Sequence, residues 1–535
     1  MAQYTANTTQ KDLDYEVSRR RTFAIISHPD AGKTTLTEKL LLYAGAVGMA
    51  GSVRARKNQR SATSDWMEME QQRGISITTA ALQFDCQGCR INLLDTPGHQ
   101  DFSEDTYRTL MVTDSAVMVL DAAKGIESQT KKLFQVCRLR NTPILTFINK
   151  LDRPGREPLE LLEEIEQVMG ISPAPINWPI GNGPTFKGVY DLASKSVLLF
   201  ERTEHGRYRA PVRVHGLNDQ VLTALLGRDE HAALIEEIEL ISAVGTKFNR
   251  DEFLAGLATP VFFGSASNNF GLEPFWQALI ELAPPPGPYA AGPNSIEPNS
   301  PEFSGLIFKI QANMDPQHRD QVAFLRVCSG RLEKDMQVHN ARLGRKLRIA
   351  RAYRFFAGER EPVDEAYPGD VVGLANPGVF SIGDTLYTGR AVAFNTMPRF
   401  QPEHFCLLQN SDIGKYKQFN KGLEQLEKEG AIQVFFFSDS LRKEPVLAAV
   451  GELQFEVVTA RLRAEYGVET TVSKLPFACA RWFEAEQPDR AEIIWPSRCK
   501  LAEDRQGQPV VLFSSEWELN YCREKNPRLA LREWG

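Results

Sequence analysis

The chain has 535 residues, enough for three or four domains at roughly 100 to 200 residues each. Apolar residues make up 42% and charged residues 24%, which excludes a disordered or fibrous chain. The net charge of −6 excludes a protein that is basic overall, so any contact with RNA or DNA must come from local patches.

The cysteines and the apolar runs indicate the compartment. Eight cysteines without regular spacing do not resemble a secreted disulfide framework, and the first 21 residues lack the apolar core of a signal peptide. We therefore expect a cytoplasmic protein, and no membrane span because the longest apolar runs are only strand-length. Cys86 and Cys89 have CxxC spacing, but Gln87-Gly88 between them is typical of a hairpin turn, which we favour over a metal site.

The N-terminal half alternates short apolar runs with helical patterns, which predicts parallel βαβ units. The predicted strands are residues 23–27, 90–95, 116–121 and 144–149, and a helix opens at Gly32. The proline-rich segment 284–288 and the polar stretch 292–301 mark a boundary, so we assign residues 1–288 to an α/β domain. The 112 residues between Asp152 and Ser265 exceed one connection and predict an inserted subdomain at about 160–258, with an acidic helical stretch at 229–240.

The second half has two further patterns. Short strands at 306–311, 322–328, 346–353 and 371–375, separated by turn signals, predict an antiparallel β-barrel over residues 302–392. The order β-α-β-β-α-β from 405 to 472 predicts an α+β split βαβ (ferredoxin-like) unit in a domain at 400–535, with helices at 415–430 and 452–466. The last 60 or so residues, from Lys474, are too irregular to assign.

A glycine-rich loop directly follows the first predicted strand and predicts phosphate binding. Its residues are Ser27, His28, Pro29, Asp30, Ala31, Gly32, Lys33 and Thr34, followed by Thr35. The loop fits GxxxxGK[ST] except for Ser27 in place of the first glycine. Backbone N–H groups of such a loop point at phosphate oxygens, Lys33 reaches the β- and γ-phosphates, and Thr34 ligates Mg²⁺.

A second motif follows the next strand of the predicted sheet. It consists of Asp95, Thr96, Pro97, Gly98 and His99. Alone this is favourable turn chemistry, but beside a phosphate loop Asp95 lies where it can hold the shell of Mg²⁺. The N–H of Gly98 is placed to contact a γ-phosphate.

The base is predicted by a third motif, Asn149, Lys150, Leu151 and Asp152, after the strand 144–149. A carboxylate that accepts two hydrogen bonds suits the N1–H and amine of guanine, whereas adenine has an acceptor at N1. Asp152 is therefore the candidate guanine reader, and the loop with Ser265 and Ala266 could add a backbone N–H to the base oxygen. The sequence predicts a P-loop domain that binds GTP and GDP.

These motifs, in this order and with these residues, resemble those of the translational GTPases, in particular the translocase and release-factor group. Residues 73–78 look like the first switch element of that group, with Ser76 where a threonine closes over Mg²⁺ and the γ-phosphate. The resemblance implies that Thr34, Ser76 and Asp95 hold Mg²⁺. It also implies that His99 orients the attacking water, with Lys33 and Gly98 assisting; from chemistry alone a lone histidine after a turn is more often structural.

Longer stretches resemble the class II release factors specifically. They are residues 64–77, 101–110, 310–316 and 450–455, and the likeness covers about 18 to 475. It implies a GTPase that acts on the ribosome after peptide release and ejects class I release factors. It also implies contacts with rRNA and ribosomal proteins, no DNA, a monomeric chain, and a GTP-driven reorientation of the last two domains.

Two basic stretches and the insertion leave alternatives open. Residues 54–60 form either a solvated loop or an RNA-facing loop, and the barrel run Arg342, Arg345, Lys346, Arg348 and Arg351 is either a phosphate-tracking patch or ordinary surface. The insertion has either a partner or none. Another ribosomal GTPase, such as a translocase or ribosome-protection factor, is the nearer competing function, and the short stretch after the split βαβ unit argues against it. An unrelated P-loop ATPase or kinase is the more distant one, and Asp152 argues against it.

Overall fold

A computed structural model describes residues 2–45, 70, 76–200, 212–217, 220–312, 321–356, 359–395, 397, 401–439, 443–484 and 493–533. The basic stretch 54–60, the motif residues 64–69 and 71–75, and residues 313–316 lie outside this range.

The N-terminal half contains a seven-stranded sheet, as the α/β prediction requires. Its spatial order is β2-β3-β1-β4-β5-β11-β6, and all neighbours are parallel except β2 and β3. The strands are β1 Arg20–Ser27, β2 Ala80–Cys86, β3 Cys89–Asp95, β4 Ser115–Asp121, β5 Ile144–Asn149, β6 Ser172–Pro175 and β11 Ala258–Phe263. Strand β6 falls inside the range predicted for the insertion. The β2–β3 hairpin turns at Gln87-Gly88 with positive φ at both residues, which confirms the predicted turn.

Helices cover both faces of this sheet. Alternate residues of β1 enter opposite cores, with Ile26 on one side and Ile25 on the other. Both faces of the central strands are therefore apolar, and every residue of β4 is buried. The helices of this half are α1 Ala2–Ser18, α2 Lys33–Tyr43, α3 Ser103–Leu110, α4 Ser128–Leu139, α5 Pro158–Met169, α6 Gln220–Leu226, α7 Arg228–Val244, α8 Arg250–Leu254 and α9 Leu272–Leu282.

The predicted insertion contains a separate four-stranded antiparallel sheet, most of α5, and helices α6, α7 and α8. Its strands are β7 Asn177–Ile180, β8 Gly188–Asp191, β9 Ser196–Leu199 and β10 Val212–His215. The acidic stretch 229–240 lies within α7. Among the described residues no helix is long and apolar enough to cross a bilayer.

The next domain is the antiparallel barrel. Its main sheet has the order β18-β17-β23-β14-β15-β22-β19-β20. The strands of the domain are β14 Ser304–Ala312, β15 Gln321–Ser329, β16 Leu332–Glu333, β17 Met336–Asn340, β18 Arg345–Ile349, β19 Ala352–Phe356, β20 Glu359–Val363, β21 Glu365–Ala366, β22 Val371–Ala375 and β23 Thr385–Tyr387.

One expectation in this region was wrong. The single strand expected at 346–353 is two strands, because β18 pairs with β17 while β19 pairs with β20 and β22. After the proline-rich segment, β12 Tyr289–Ala291 and β13 Asn294–Ile296 form a small hairpin.

The C-terminal domain begins with the predicted split βαβ unit, whose order in the sheet is β27-β24-β26-β25. Its elements are β24 His404–Asn410, α10 Tyr416–Lys428, β25 Gln433–Phe437, β26 Pro445–Ala449, α11 Leu453–Tyr466 and β27 Thr470–Leu475. The unassigned residues extend this sheet beyond β25 through β29, β30, β28 and β31. They form β28 Cys479–Phe483, β29 Lys500–Asp504, β30 Pro509–Phe513, α12 Glu516–Lys525 and β31 Leu531–Arg532.

Candidate nucleotide site

The glycine-rich loop connects the end of β1 to the start of α2. Asp30 and Gly32 have φ of 66° and 92°, so the chain makes two left-handed steps before the helix begins at Lys33. A side chain at Gly32 would overlap the amide of Asn149, which requires glycine there. Ser27 and Ala31 are buried, and the Ser27 hydroxyl donates to the carbonyl of His28 at 2.9 Å. The predicted phosphate loop therefore has the strand-loop-helix setting that anion binding requires.

His28 in this loop is buried beside Glu127. Its Nε2 lies 3.4 Å from a carboxylate oxygen of Glu127. Burial lowers the pKa of His28, and the nearby carboxylate opposes that shift only in part. Pro29 is partly buried, and Thr34 and Thr35 lie partly exposed in the first turn of α2.

Lys33 and Asp95 meet at the carboxyl ends of neighbouring strands. Strands β1 and β3 pair in parallel with Ile25 opposite Asp95, and the Lys33 Nζ lies 2.5 Å from Asp95 Oδ1. Asp95 Oδ2 is buried and accepts no hydrogen bond from any described residue. A buried carboxylate oxygen without a protein donor suits Mg²⁺ or a water of its shell, so this residue fits the predicted metal role.

The rest of the second motif lies over the phosphate loop. Thr96 is buried and its hydroxyl donates to the carbonyl of Ile25 at 2.7 Å. Pro97 is buried, and a Cβ on Gly98 would stand 3.6 Å from the carbonyl oxygen of His28. The backbone of Gly98 thus faces the loop, as contact with a γ-phosphate would require.

The third motif is fixed to the phosphate loop by Asn149. Its amide nitrogen donates to the carbonyl of Ala31 at 2.8 Å, and its amide oxygen accepts from the N–H of Ala266 at 2.9 Å. Lys150 follows with φ of 68° and pairs with Asp121 at 2.9 Å. One side chain therefore connects the phosphate loop, the 149–152 loop and the loop at 264–266.

The residues predicted to read guanine come together. Leu151 is buried and its N–H donates to the carbonyl of Gly264, which places Asp152 next to the 264–266 loop. Asp152 Oδ1 accepts from the Ser265 hydroxyl at 2.5 Å. The N–H groups of Ser265 and Ala266 already donate within the protein, to Phe270 and Asn149. A base oxygen would have to share one of these donors.

His99 lies at the edge of the site, with its side chain 30% exposed. Its Nδ1 is 2.9 Å from Asp101 Oδ1, and its ring packs at 6.2 Å on the ring of Phe102. Ser76 lies just before the buried Ile77, whose N–H donates to a carboxylate oxygen of Glu70. The roles of His99 in hydrolysis and of Ser76 on Mg²⁺ stay predictions.

Sequence reasoning missed Asp101 as a site residue. It stands two positions after His99 in the stretch 101–110, which resembles the class II release factors, and its carboxylate contacts both His99 and the C-terminal domain. An acidic residue close to a candidate catalytic histidine was the available signal.

Comparisons with known proteins match three family models in succession. The model for the elongation factor Tu GTP binding domain matches residues 18–285, that for elongation factor G domain 2 matches 302–389, and that for the class II release factor RF3 C-terminal domain matches 394–523.

Two similar proteins are both named peptide chain release factor 3. The protein of Gloeobacter violaceus is 58% identical over 97% of this chain and 98% of its own length. That of Symbiobacterium thermophilum is 54% identical over 97% of this chain and 98% of its own length. A crystal structure from Thermus thermophilus shares the fold, with a TM-score of 0.66 and 22% identity over 90% of this chain and 72% of that chain.

Proposed function

Because the chain belongs to the peptide chain release factor 3 family, we propose that it binds the ribosome during termination and promotes GTP-dependent dissociation of class I release factors after peptide release. The chain is a GTPase of translation termination. Its proposed partners are rRNA, ribosomal proteins and the class I factors, and its proposed compartment is the cytoplasm.

One observation carries this proposal: the same chain contains a nucleotide site and a C-terminal domain of the class II release factor type. The phosphate loop, the loop after β5 and the 264–266 loop follow parallel strands of one sheet and are joined by Asn149, and the match to the class II release factor domain begins at residue 394. This supports a machine in which the nucleotide state acts on the later domains.

Each residue of the site has its own role in GTP hydrolysis. Lys33 would leave Asp95 for the β- and γ-phosphates. Thr34, Ser76 and Asp95 would hold Mg²⁺, which would neutralise charge on the phosphates. The N–H of Gly98 contacts the γ-phosphate, and His99 orients the water that attacks it. Phosphoryl transfer depends mainly on positioning, so a ribosome that seats His99 correctly would accelerate it.

The proposed function is tested with ribosomes that hold a labelled class I release factor at a stop codon. Adding this protein with GTP is expected to speed dissociation of the factor, and the His99→Ala variant is expected to bind GTP without ribosome-stimulated hydrolysis. An unchanged dissociation rate would contradict the proposal. Translocation in the same assay would assign the chain to the translocases instead.

Base choice gives a separate prediction. We expect Asp152→Asn to prefer xanthosine triphosphate over GTP in competition binding, because the amide presents a donor where guanine also donates. Asp85→Asn is the matched control, since Asp85 is an exposed carboxylate on the β2–β3 hairpin. An unchanged preference for GTP in Asp152→Asn would remove Asp152 from the base site.

A further inference from the structure

The carboxylate of Asp101 bridges two domains beside the nucleotide site. Its Oδ1 lies 2.9 Å from His99 Nδ1, and its Oδ2 accepts a hydrogen bond from the N–H of Leu453 at 2.8 Å. The Asp101 side chain is only 8% exposed. One buried group therefore contacts both the candidate catalytic histidine and the C-terminal domain.

The contact with Asp101 decides which nitrogen of His99 carries a proton. Nδ1 lies 2.9 Å from the carboxylate oxygen of Asp101, and at 3.3 Å it also faces the backbone N–H of Asp101, which can donate to Nδ1 only if that nitrogen carries no proton. The two contacts favour opposite tautomers, and the carboxylate contact is the shorter and involves a charged acceptor, so it outweighs the longer backbone contact and the proton belongs on Nδ1, where it is donated to Oδ1. In the neutral ring Nε2 then keeps its lone pair, which can accept a hydrogen bond from the attacking water.

The C-terminal domain holds Asp101 through the start of helix α11. Leu453 is the first residue of that helix, so its N–H has no partner within the helix and points toward an acceptor. The positive end of the helix dipole adds to the attraction for a carboxylate. A Cβ on Gly451 would overlap the Asp101 carboxyl group, so only glycine permits this close approach.

Apolar contacts surround the polar bridge. Ile77 from the end of the first switch element, Phe102 and Val457 form one buried cluster, with Leu453 packed against it. Phe102 also lies next to the ring of His99, with ring centroids 6.2 Å apart, so the C-terminal domain reaches the histidine through both Asp101 and Phe102.

We propose that Asp101 is a positioning residue for GTP hydrolysis, and that docking of residues 451–453 on Asp101 sets the tautomer and orientation of His99. The inference rests on the proposed role of His99 in hydrolysis. It makes the catalytic geometry of the first domain depend on the seating of the last one.

The first test replaces Asp101 by Asn. The amide oxygen can still accept from the Leu453 N–H, but its NH₂ group would face His99 Nδ1 and move the ring proton to Nε2. We expect the single-turnover rate of ribosome-stimulated GTP hydrolysis to fall at least about tenfold, with GTP affinity unchanged. Asp85→Asn is the control for loss of one carboxylate and is expected to retain the wild-type rate.

The tautomer itself is read from two-bond ¹H–¹⁵N spectra of protein labelled with ¹⁵N-histidine. The spectra are recorded at about pH 8, where unperturbed histidines are neutral, and His99→Ala assigns the signal. The wild type is expected to show the proton on Nδ1, and Asp101→Asn on Nε2.

The second test disturbs only the C-terminal side. Gly451→Ala leaves His99 and Asp101 chemically intact but forces them apart from residues 451–453, so we expect a slower stimulated rate and a changed His99 signal. Gly287→Ala is the matched control, because a Cβ there meets no atom within 4 Å.

The outcomes separate the two proposals. Wild-type protein that ribosomes do not stimulate would contradict the proposed function. Wild-type-like His99 signals in both Asp101→Asn and Gly451→Ala would overturn the positioning role, whether or not ribosomes stimulate hydrolysis. A shifted tautomer with an unchanged stimulated rate would also overturn it.

Discussion

The barrel and the C-terminal domain both dock on the nucleotide-binding domain, but they hold different parts of it. The barrel contacts the central sheet of this domain through two ion pairs. Asp370 pairs with Arg20 of β1 at 2.8 Å, and Arg326 pairs with Asp114, the residue just before β4, at 2.6 Å. All four side chains are almost completely buried.

The C-terminal domain instead holds the segment that follows His99. Asp101 accepts from the N–H at the start of α11, and Arg108 of α3 donates to the carbonyls of Glu429 and Gly430 beyond the end of α10. A negative group thus meets a helix N-terminus and a positive group meets a helix C-terminus, which matches both helix dipoles.

The difference indicates two kinds of joint. Strands β1 and β4 form the rigid centre of the sheet, so ion pairs near them hold the barrel firmly against that centre. Helix α3 follows the Gly98-His99 segment after one short 3₁₀ turn at Gln100–Phe102, and that segment faces the phosphate loop, so contacts with α3 can respond to the nucleotide. One barrel side chain also contacts this region: Lys309 donates to the carbonyl of Thr79 at 2.8 Å and lies 3.0 Å from Asp105.

The largest expected effect comes from breaking the rigid joint. Arg326→Met would leave the buried Asp114 carboxylate uncompensated, and we expect a loss of about 3 to 5 kcal/mol in the free energy of unfolding. Urea titration monitored by fluorescence measures it. Arg348→Met in the same barrel is the control, because Arg348 is exposed and should change stability by less than about 0.5 kcal/mol. Equal losses of stability in Arg326→Met and Arg348→Met would contradict the claim that the barrel is held by a buried ion pair at a rigid joint.

A smaller effect is expected at the second joint. Arg108→Ala removes a charged donor from two carbonyls, which should weaken docking of the C-terminal domain by about 1.5 to 3 kcal/mol. Hydrogen exchange should rise around residues 429–430 and 451–453 while the strands of the nucleotide domain stay protected. Lys132→Ala on the exposed side of α4 is the control. A rise in hydrogen exchange throughout the first domain would show that Arg108 stabilises that whole domain and not only its contact with the C-terminal domain.

The smallest effect concerns pH at the contact shared with the barrel. Burial by itself would raise the pKa of Asp105, but Lys309, Arg108 and the N–H of Thr79 outweigh it and hold that pKa below its ordinary value of 3.8. Because the folded-state pKa is the lower one, this stabilisation is complete above about pH 4 and is lost as pH falls through the folded-state value.

Acid titration of unfolding measures this contribution. Asp105→Asn should lose about 1 kcal/mol near neutral pH and decline less steeply than wild type below about pH 4. Parallel curves for the two proteins would show that Asp105 contributes nothing through its charge.

The candidate site was largely predictable from short stretches of sequence. Gly32, Lys33 and Asp95 form motifs in which the loop is set by adjacent residues and lies at a strand end, so local order sufficed to bring them together. The strand boundaries were less accurate where a bend depends on partners: β18 and β19 separate because they pair with different strands. The C-terminal strands escaped notice because each is short and completes a sheet begun elsewhere in the chain.

The sequence by itself determined the order of domains, the phosphate loop and the predicted base reader, because these depend on periodicity and on residues close together in the chain. Only the tertiary structure decided what touches His99 through Asp101, since the Leu453 N–H that holds Asp101 lies 352 residues away. A backbone N–H carries no sequence signature, and its partner is set by how the first and last domains pack. Docking of the domains therefore decides the environment of a residue that the motif alone identifies.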